Sequence, residues 1–327
     1  MTQVLASTEL TRPVLIVGAG ITGVACAREL RAHGVPFRII NKGMKIGGRM
    51  ASREVRDSGT EWDGRVFDTG ASYFTVSDPD FRVHVQDMRD LGIVTEWTDT
   101  FHVADDTGIL GVKVGPMRYS APKGIRSVVE YLAQGLEVFE GEFGGEIDSL
   151  DVTDERIALC VPTPQAAKIY PQATELNPSV WEPVIVVSML FAEQYWQDFD
   201  GIFDNSASIV TWIANDGSRR GDRAPALVAH VHPVLSSHHL TDPSAVIPFA
   251  VSAVQQILGF DHQPTWTSAH RWTFAKPVEG TTRSEPLFHA EPDGQVFMAG
   301  DSFSDRPRVE AGWISGTALG KHLVGTR

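Results

Sequence analysis

The chain has 327 residues, which at roughly 150 residues per domain predicts two domains in preference to one very large core. Hydrophobic residues make up 42% and charged residues 21%, with eight tryptophans, which describes a globular, enzyme-sized protein and excludes a long disordered or collagen-like chain. With 41 acidic against 28 basic residues the net charge is −13, which argues against a fold-wide basic surface for nucleic acid while leaving room for a local basic patch. Cys26 and Cys160 are the only cysteines, too few for a disulfide scaffold and in keeping with a reducing interior. Met1 to Arg12 lacks a basic start followed by an apolar stretch, so it does not read as a signal peptide. The most apolar run, Pro183 to Ala192, is about half the roughly 20 residues that a membrane-spanning helix needs. A cytoplasmic location is expected.

In chain order, Val14 to Val17 is a short β-branched run ending at Gly18. Behind it Ile21 to Ala32 spaces Ile21, Val24, Ala27 and Leu30 for one apolar helix face. Gly34 supplies the stop, and Phe37 to Ile40 reads as the next buried strand. Strand, helix and strand within about 30 residues predict a βαβ unit with a right-handed crossover. From Trp62 to Phe74 the pattern changes to short strands and turns, followed by an amphipathic helix over Asp80 to Leu91 closed by Gly92. Gly124 to Leu132 predicts a short helix, and Leu136 to Cys160 an abbreviated antiparallel ribbon broken at Gly144 and Gly145. Strand-like pieces follow at Ser208 to Ala214 and Ala226 to His232, then a helix over Pro243 to Leu258 and a strand over Thr265 to Ala275. The end is α/β again, with a strand at Gln295 to Ala299 and a helix at Glu310 to Val324. There is no internal repeat and no low-complexity tract.

Gly18-Ala19-Gly20-Ile21-Thr22-Gly23 matches G-x-G-x-x-G. The string is common by itself, but here it follows a predicted strand and opens a predicted helix, the context the motif requires. Gly18 serves the tight turn, Gly20 lets backbone approach a diphosphate, and Gly23 lets helix and strand pack closely. The helix N-terminus adds unpaired N–H groups and about half a positive charge. A plain strand–turn–helix without a ligand is the weaker alternative. At the end of the second strand, where such folds usually offer an acid to the ribose, stands Asn41. A neutral contact there is roughly 1 kcal/mol weaker than a charged one. Lys42 follows, then Gly47-Gly48-Arg49-Met50, in which the glycines let backbone pass close to a cofactor and Arg49 is expected to fork onto phosphate. Asp68 to Phe74 carries Gly70, Ala71 and Ser72, small residues suited to a loop lying along a flat ring. Towards the other end, Val296 to Ala299 runs into Gly300 and Asp301, and Arg308 to Gly316 opens the last helix.

Taken together, these motifs, spread from Pro13 to Leu323, resemble the flavin-containing amine oxidase superfamily, and most closely its bacterial renalase-like proteins. His270-Arg-Trp272 with Ala275-Lys-Pro277, and Pro162-Thr-Pro-Gln165, are similar to that subgroup as well. Asn41 in place of an acid, and a short ribbon before Cys160, depart from the family pattern. The resemblance implies an α/β fold with a discontinuous Rossmann-like FAD-binding domain (13–78, 125–175 and 286–327) and a second, α+β substrate domain (79–124 and 176–285) roofing the cofactor. It implies FAD held by Gly18 to Gly23, Asn41, Lys42, Gly48, Arg49, Met50, Gly70 to Ser72, Gly300, Asp301, Val309 and Glu310. Asp301 would accept hydrogen bonds from the ribityl chain. The helix opening at Val309 would face the flavin pyrimidine, where negative charge collects on reduction. The implied reaction passes hydride from substrate to flavin N5, followed by reduction of O2. For renalase-like proteins the implied substrates are misreduced 2- and 6-dihydro isomers of NAD(P)H, returned as NAD(P)+ with hydrogen peroxide.

Loss of hydride from a dihydropyridine leaves an aromatic cation, so that reaction needs alignment and no general base at the substrate. An amine must first be unprotonated, a form that an aromatic or apolar pocket favours. Tyr73, Trp212, Trp272 and Trp313 are candidates for such a pocket, with core packing the alternative for each. His270 is a candidate to hydrogen-bond a substrate carboxamide, or else a structural histidine. His238-His239 lacks a third ligand and reads as a polar loop, so no metal is expected. Neither cysteine falls in the carboxyl-terminal flavin segment, which predicts non-covalent FAD. Two other functions remain open: an amine oxidase or desaturase of the same fold, and a redox-sensing protein that holds FAD without turnover. The expected partners are a small-molecule dinucleotide or amine and O2, with no nucleic acid and no membrane.

Overall fold

The first apolar run forms β1 (Val14–Val17), followed by α1 (Ile21–Ala32) and β2 (Phe37–Asn41), and β2 pairs parallel with β1 as a βαβ unit requires. The computed structural model describes residues 12–105, 107–141, 155–205, 209–283 and 285–326. Next come β3 (Ser52–Glu54), β4 (Val66–Asp68), β5 (Phe74–Thr75) and α2 (Pro79–Asp90), the last begun by Asp78, whose side chain accepts from the Phe81 N–H. A long hairpin of β6 (Thr95–Asp105) and β7 (Gly108–Ser120) leads to α3 (Arg126–Leu132), β8 (Val138–Glu140) and β9 (Arg156–Leu159). Two short helices, α4 (Thr163–Ala166) and α5 (Ala173–Leu176), precede β10 (Trp181–Leu190), β11 (Gly201–Asp204), β12 (Val210–Asn215), α6 (Asp216–Arg220) and β13 (Ala226–Val231). The chain ends with α7 (Pro233–His238), α8 (Ile247–Leu258), β14 (Trp266–Pro277), β15 (Phe288–Ala290), β16 (Val296–Ala299) and α9 (Val309–Gly325).

Two sheets organise these elements. The six-stranded sheet has the order β15-β16-β9-β1-β2-β8 and is parallel except for β15 at its edge. It gathers strands from both ends of the chain. Val14 and Ile16 of β1 pack to one side and Leu15 and Val17 to the other, so the strand is apolar at every position because both faces are covered. Helix α9 lies against α1 so closely that a Cβ on Gly316 would come within 2.1 Å of the Thr22 carbonyl oxygen. The eight-stranded sheet has the order β14-β10-β13-β12-β11-β6-β7-β5 and is antiparallel apart from the β11–β6 pair. The apolar run near Pro183 is its strand β10. Ile185, Val187 and Met189 face the core under α8, while Val184, Val186 and Leu190 face the other way.

Two expectations change. The ribbon predicted over Leu136 to Cys160 is, in its described parts, two separate strands: β8 pairs parallel with β2, and β9 runs parallel with β1 and β16. Gly144 and Gly145 lie outside the described residues, as does Ser208 at the start of another predicted strand. His238 ends the helix α7 and His239 caps it, so the pair is a helix terminus and not a polar loop. Among the described residues no helix is long and apolar enough to cross a membrane.

Candidate cofactor and substrate cleft

A single cleft of about 1110 Å³ runs between the two sheets. Its floor is the glycine loop after β1. Gly20 begins α1 without any side-chain cap, and α1 has no acid in its first turn, so its leading N–H groups and dipole face the cleft unneutralised. A Cβ added to Gly20 would meet no atom within 4 Å, whereas one on Gly23 would lie 2.0 Å from the Gly18 carbonyl oxygen. The first glycine keeps space open for an anion and the second holds helix to strand, the division of labour of a diphosphate cradle. The residues present therefore fit a dinucleotide. Of the predicted cofactor residues, Gly18, Gly20, Ile21, Thr22, Asn41, Lys42, Gly48, Arg49, Met50, Gly70, Ala71, Asp301 and Val309 line the cleft.

The remaining predicted cofactor residues act behind that surface. Ala19 is buried and its N–H donates to Asn41 Oδ1 at 3.2 Å. The Asn41 amide in turn donates to the carbonyl oxygens of Gly43 (2.7 Å) and Lys45 (3.3 Å), so this side chain braces the phosphate loop. An acid could not make those two donations, which gives Asn41 a local reason to be an amide. Gly300 donates its N–H to Ser315 Oγ at 2.9 Å. Glu310 does not present its carboxylate to the cleft. It accepts from Ser77 Oγ (2.8 Å) and the Asp78 N–H (2.6 Å) and pairs with Arg308, locking the turn before α2. Arg49 departs from its expected role as well. Its fork closes on Asp301, Nη1 to Oδ2 at 2.8 Å and Nη2 to Oδ1 at 2.6 Å, because the cleft brings opposite charges from the two chain ends face to face.

The opposite wall is the inner face of the eight-stranded sheet. Register places His270, Val186, His230 and Trp212 in one row across β14, β10, β13 and β12, with Trp272 beside Val184 in the neighbouring row. His270, Val186, His230, Val184 and Trp272 line the cleft. Trp212 does not. It is buried with Tyr73, Trp97 and Phe101 in a tilted aromatic cluster, and its Nε1 donates to Ser72 Oγ at 3.1 Å. Trp313 packs on Phe81 and His84 under α9. Trp212 and Trp313 are therefore core residues and Tyr73, half-buried, packs against the core around Trp212, since aromatic area is retained wherever a packed neighbour removes it from water. His230 escapes a motif search. Its one signal in the sequence is a lone imidazole in the apolar run Ala226 to Val231. Burial first, then the charges of Arg219 and Lys276, hold His230 down to about 3, and its Nε2 is buried without a partner. Burial, with Arg53, Arg271 and Arg126, holds His270 down to about 4. Both rings are neutral at pH 7.

A buried ionic network joins the two walls behind the Asp68–Ser72 loop. Asp216 begins α6 and receives Arg65 Nη1 at 2.6 Å and Arg220 Nε at 3.0 Å, with Arg219 also in contact. Arg220 Nη2 lies 2.9 Å from Asp68 Oδ2, while Asp68 Oδ1 accepts from Ser52 Oγ (2.6 Å) and the Ile125 N–H (2.7 Å). Burial alone would raise the Asp68 carboxyl, but Arg220 and Arg219 outweigh it and hold it below the usual range. Arg219 Nη1 donates to the Ser72 carbonyl at 2.8 Å, and Trp272 Nε1 donates to that of Thr69. The loop that carries Gly70 and Ala71 into the cleft is thus held by the far sheet. Gly70 is required there by its neighbour: a Cβ would stand 1.9 Å from the Arg49 carbonyl oxygen.

A family model described as an NAD(P)-binding Rossmann-like domain matches residues 16–90. Renalase of Mus musculus is 25% identical over 335 residues, covering 89% of this chain and 93% of that protein. A proposed protoporphyrinogen oxidase from Exiguobacterium sp. 255-15 superposes with a TM-score of 0.73 at 13% identity, over 97% of this chain and 99% of the other. Wild-type putrescine oxidase bound to putrescine gives 0.70 at 14% identity, over 96% and 99%. The structural matches establish the two-domain oxidase fold, and the renalase match extends along nearly the whole length. The chain is thus similar in sequence to renalase and in fold to these oxidases.

Proposed function

We propose that this protein is an FAD-dependent oxidase that takes hydride from misreduced 2- and 6-dihydro isomers of NAD(P)H and returns NAD(P)+ with hydrogen peroxide. The observation that carries this reading is the continuity of the cleft from the diphosphate cradle to a wall carrying two neutral histidines and Trp272, in a chain similar to renalase over most of its length. Hydride leaves with both electrons of its C–H bond, and O2 takes those electrons, the proton the hydride carried and one further proton to become hydrogen peroxide. Bound FAD supplies the two-electron relay between donor and O2. The cradle at Gly18 to Gly20, the Val309 end of α9 and the Gly70–Ala71 loop are the surfaces that would hold it. Cys160 lines the cleft, but burial pushes its thiol up to about 12, so it stays protonated, which supports non-covalent binding.

The chain's own part is alignment and exclusion of water. His270 presents an uncharged ring suited to a carboxamide, His230 adds a second neutral ring to the wall, and Val184, Val186 and Trp272 offer flat apolar contact to a dihydropyridine. No proton need be removed from such a donor, so the lack of a charged base on this wall suits it. A diamine is served poorly. The two acids that line the cleft among the described residues, Glu54 and Asp301, are already paired with Arg56 and Arg49. Anaerobic mixing of the FAD-loaded protein with 2- or 6-dihydro-NAD(P) is expected to bleach the 450 nm region flavin band within seconds (on the order of the median turnover of about 10 per second). A spectrum unchanged by either isomer would refute the proposal.

A further inference from the structure

We propose that Arg53, backed by Arg126, forms a second anion site in the cleft, on the side facing His270, and that it grips the phosphates of a nucleotide substrate. The inference rests on the dinucleotide reading above and adds the group that selects for it. In a chain of net charge −13, the cleft is lined by ten lysine and arginine residues against two acids. Four of those cations are satisfied by carboxylates: Arg49 by Asp301, Arg56 by Glu54, Lys276 by Glu182 and Arg308 by Glu310. Arg53 is different. It is exposed on β3, lines the cleft, and has no ion-pair partner among the described residues.

Arg126 stands next to it. Arg126 gives Nη2 to the Ser52 carbonyl at 2.9 Å, which directs it beneath β3, and its Nε is buried with no partner. Burial lowers the Arg126 guanidinium first, with Glu130 opposing and the nearby Arg53 adding to it, and burial together with both arginines keeps His270 neutral across the cleft. Like charges brought together at a cleft surface are eased when an anion joins them. The diphosphate of FAD already has its place at the uncapped start of α1 and the open face of Gly20. Arg53 and Arg126 lie instead beside the histidine wall, where the reacting ring of a substrate belongs, and so are surplus to the cofactor. A guanidinium fork matches phosphate oxygens two at a time, and a nucleotide whose nicotinamide lies against His270 would extend its phosphates towards β3. The same cations repel ammonium groups, so one feature favours dinucleotides and disfavours amines.

The test is titration calorimetry of the FAD-loaded protein with two ligands, NAD+ and nicotinamide riboside, which differ in their phosphates. The wild type is expected to bind NAD+ with an affinity that falls as salt rises. Arg53→Ala should weaken NAD+ about tenfold and shift nicotinamide riboside less than twofold, with Arg53→Lys recovering part of the loss. Equal weakening of both ligands, no weakening of NAD+, or no detectable NAD+ binding to the wild type at millimolar concentration would each overturn the proposal. Loss of FAD from Arg53→Ala, read from the ratio of flavin to protein absorbance, would assign the group to the cofactor and overturn it too. If NAD+ binding follows Arg53 while dihydro-NAD(P) bleaches no flavin, the anion site stands and the proposed reaction falls.

Discussion

Where the cleft is floored by the six-stranded sheet, its shape comes from glycine backbone: Gly18, Gly20 and Gly23 fall within six residues, and the bare Gly20 leaves room for a diphosphate. Where it is walled by the eight-stranded sheet, its shape comes from side chains on strands far apart in sequence. His230 and His270 share a row only because β13 and β14 both pair with β10. The floor tolerates distant change and fails on a single methyl group. The wall tolerates local change and fails when register or docking is lost. The Asp68–Ser72 loop belongs to both, being a floor residue set held by Arg219, Arg220 and Trp272 from the wall.

The largest effect should come from parting the two regions. Asp216→Ala leaves Arg65, Arg219 and Arg220 buried without their shared acid, and breaking such a pair typically costs about 3–5 kcal/mol. Urea unfolding of Asp216→Ala should show that loss in its midpoint. A change below 1 kcal/mol would mean the regions do not depend on the network. The next test compares two glycines of the floor. Gly70→Ala forces a Cβ to 1.9 Å from the Arg49 oxygen and should cost about 1–3 kcal/mol in the same assay. Gly20→Ala meets open space, so unfolding should move by no more than about 0.5 kcal/mol, while FAD affinity falls at least about tenfold, read by flavin fluorescence recovery on dilution. If Gly20→Ala destabilised the fold and spared FAD, the cradle assignment would be wrong.

The smallest effect near neutral pH concerns the wall. His230 and His270 are held far below the ordinary histidine value, to about 3 and about 4, so the unfolded chain binds more protons than the folded one between pH 6.5 and 4. Stability from these groups is fully present above pH 6.5 and is lost as pH falls through that window. Melting temperature should therefore be flat from pH 7 to 8 and decline below 6.5. A His230→Gln, His270→Gln double substitution should flatten the decline, and an unchanged slope would place the acid sensitivity elsewhere.

Much of the floor was legible before any coordinates because its determinants are local. A β-branched strand, a glycine string and an amphipathic helix specify β1, the loop and α1 within 20 residues, and Gly300-Asp301 marks the matching strand end. Asn41 was legible as an exception to the pattern, but its role as a loop brace needed the positions of Gly43 and Lys45. The long hairpin β6–β7 was not legible at all. Its second strand is exposed over most of its length and interrupted by Gly111 and Gly115, so it lacks the alternation that marks a half-buried strand. Among the aromatics, sequence could not separate Trp272, on the cleft, from Trp212, in the core, and Tyr73, packed against it. Strand alternation tells which residues share a face, and the neighbouring sheet tells which face meets solvent.

By itself, the sequence determined a dinucleotide-binding βαβ unit, its completion by the far end of the chain, and the resemblance to flavin-containing oxidases that these motifs carry together. Only the tertiary structure decided that Arg49 and Asp301 pair with each other, that Glu310 turns away from the cleft, and that His230 and Arg53 face into it. The reason is physical. A glycine's spare volume and a helix's dipole act over a few ångströms along the chain, whereas the partner of a charge is whatever the folded packing brings within reach, at any separation in sequence.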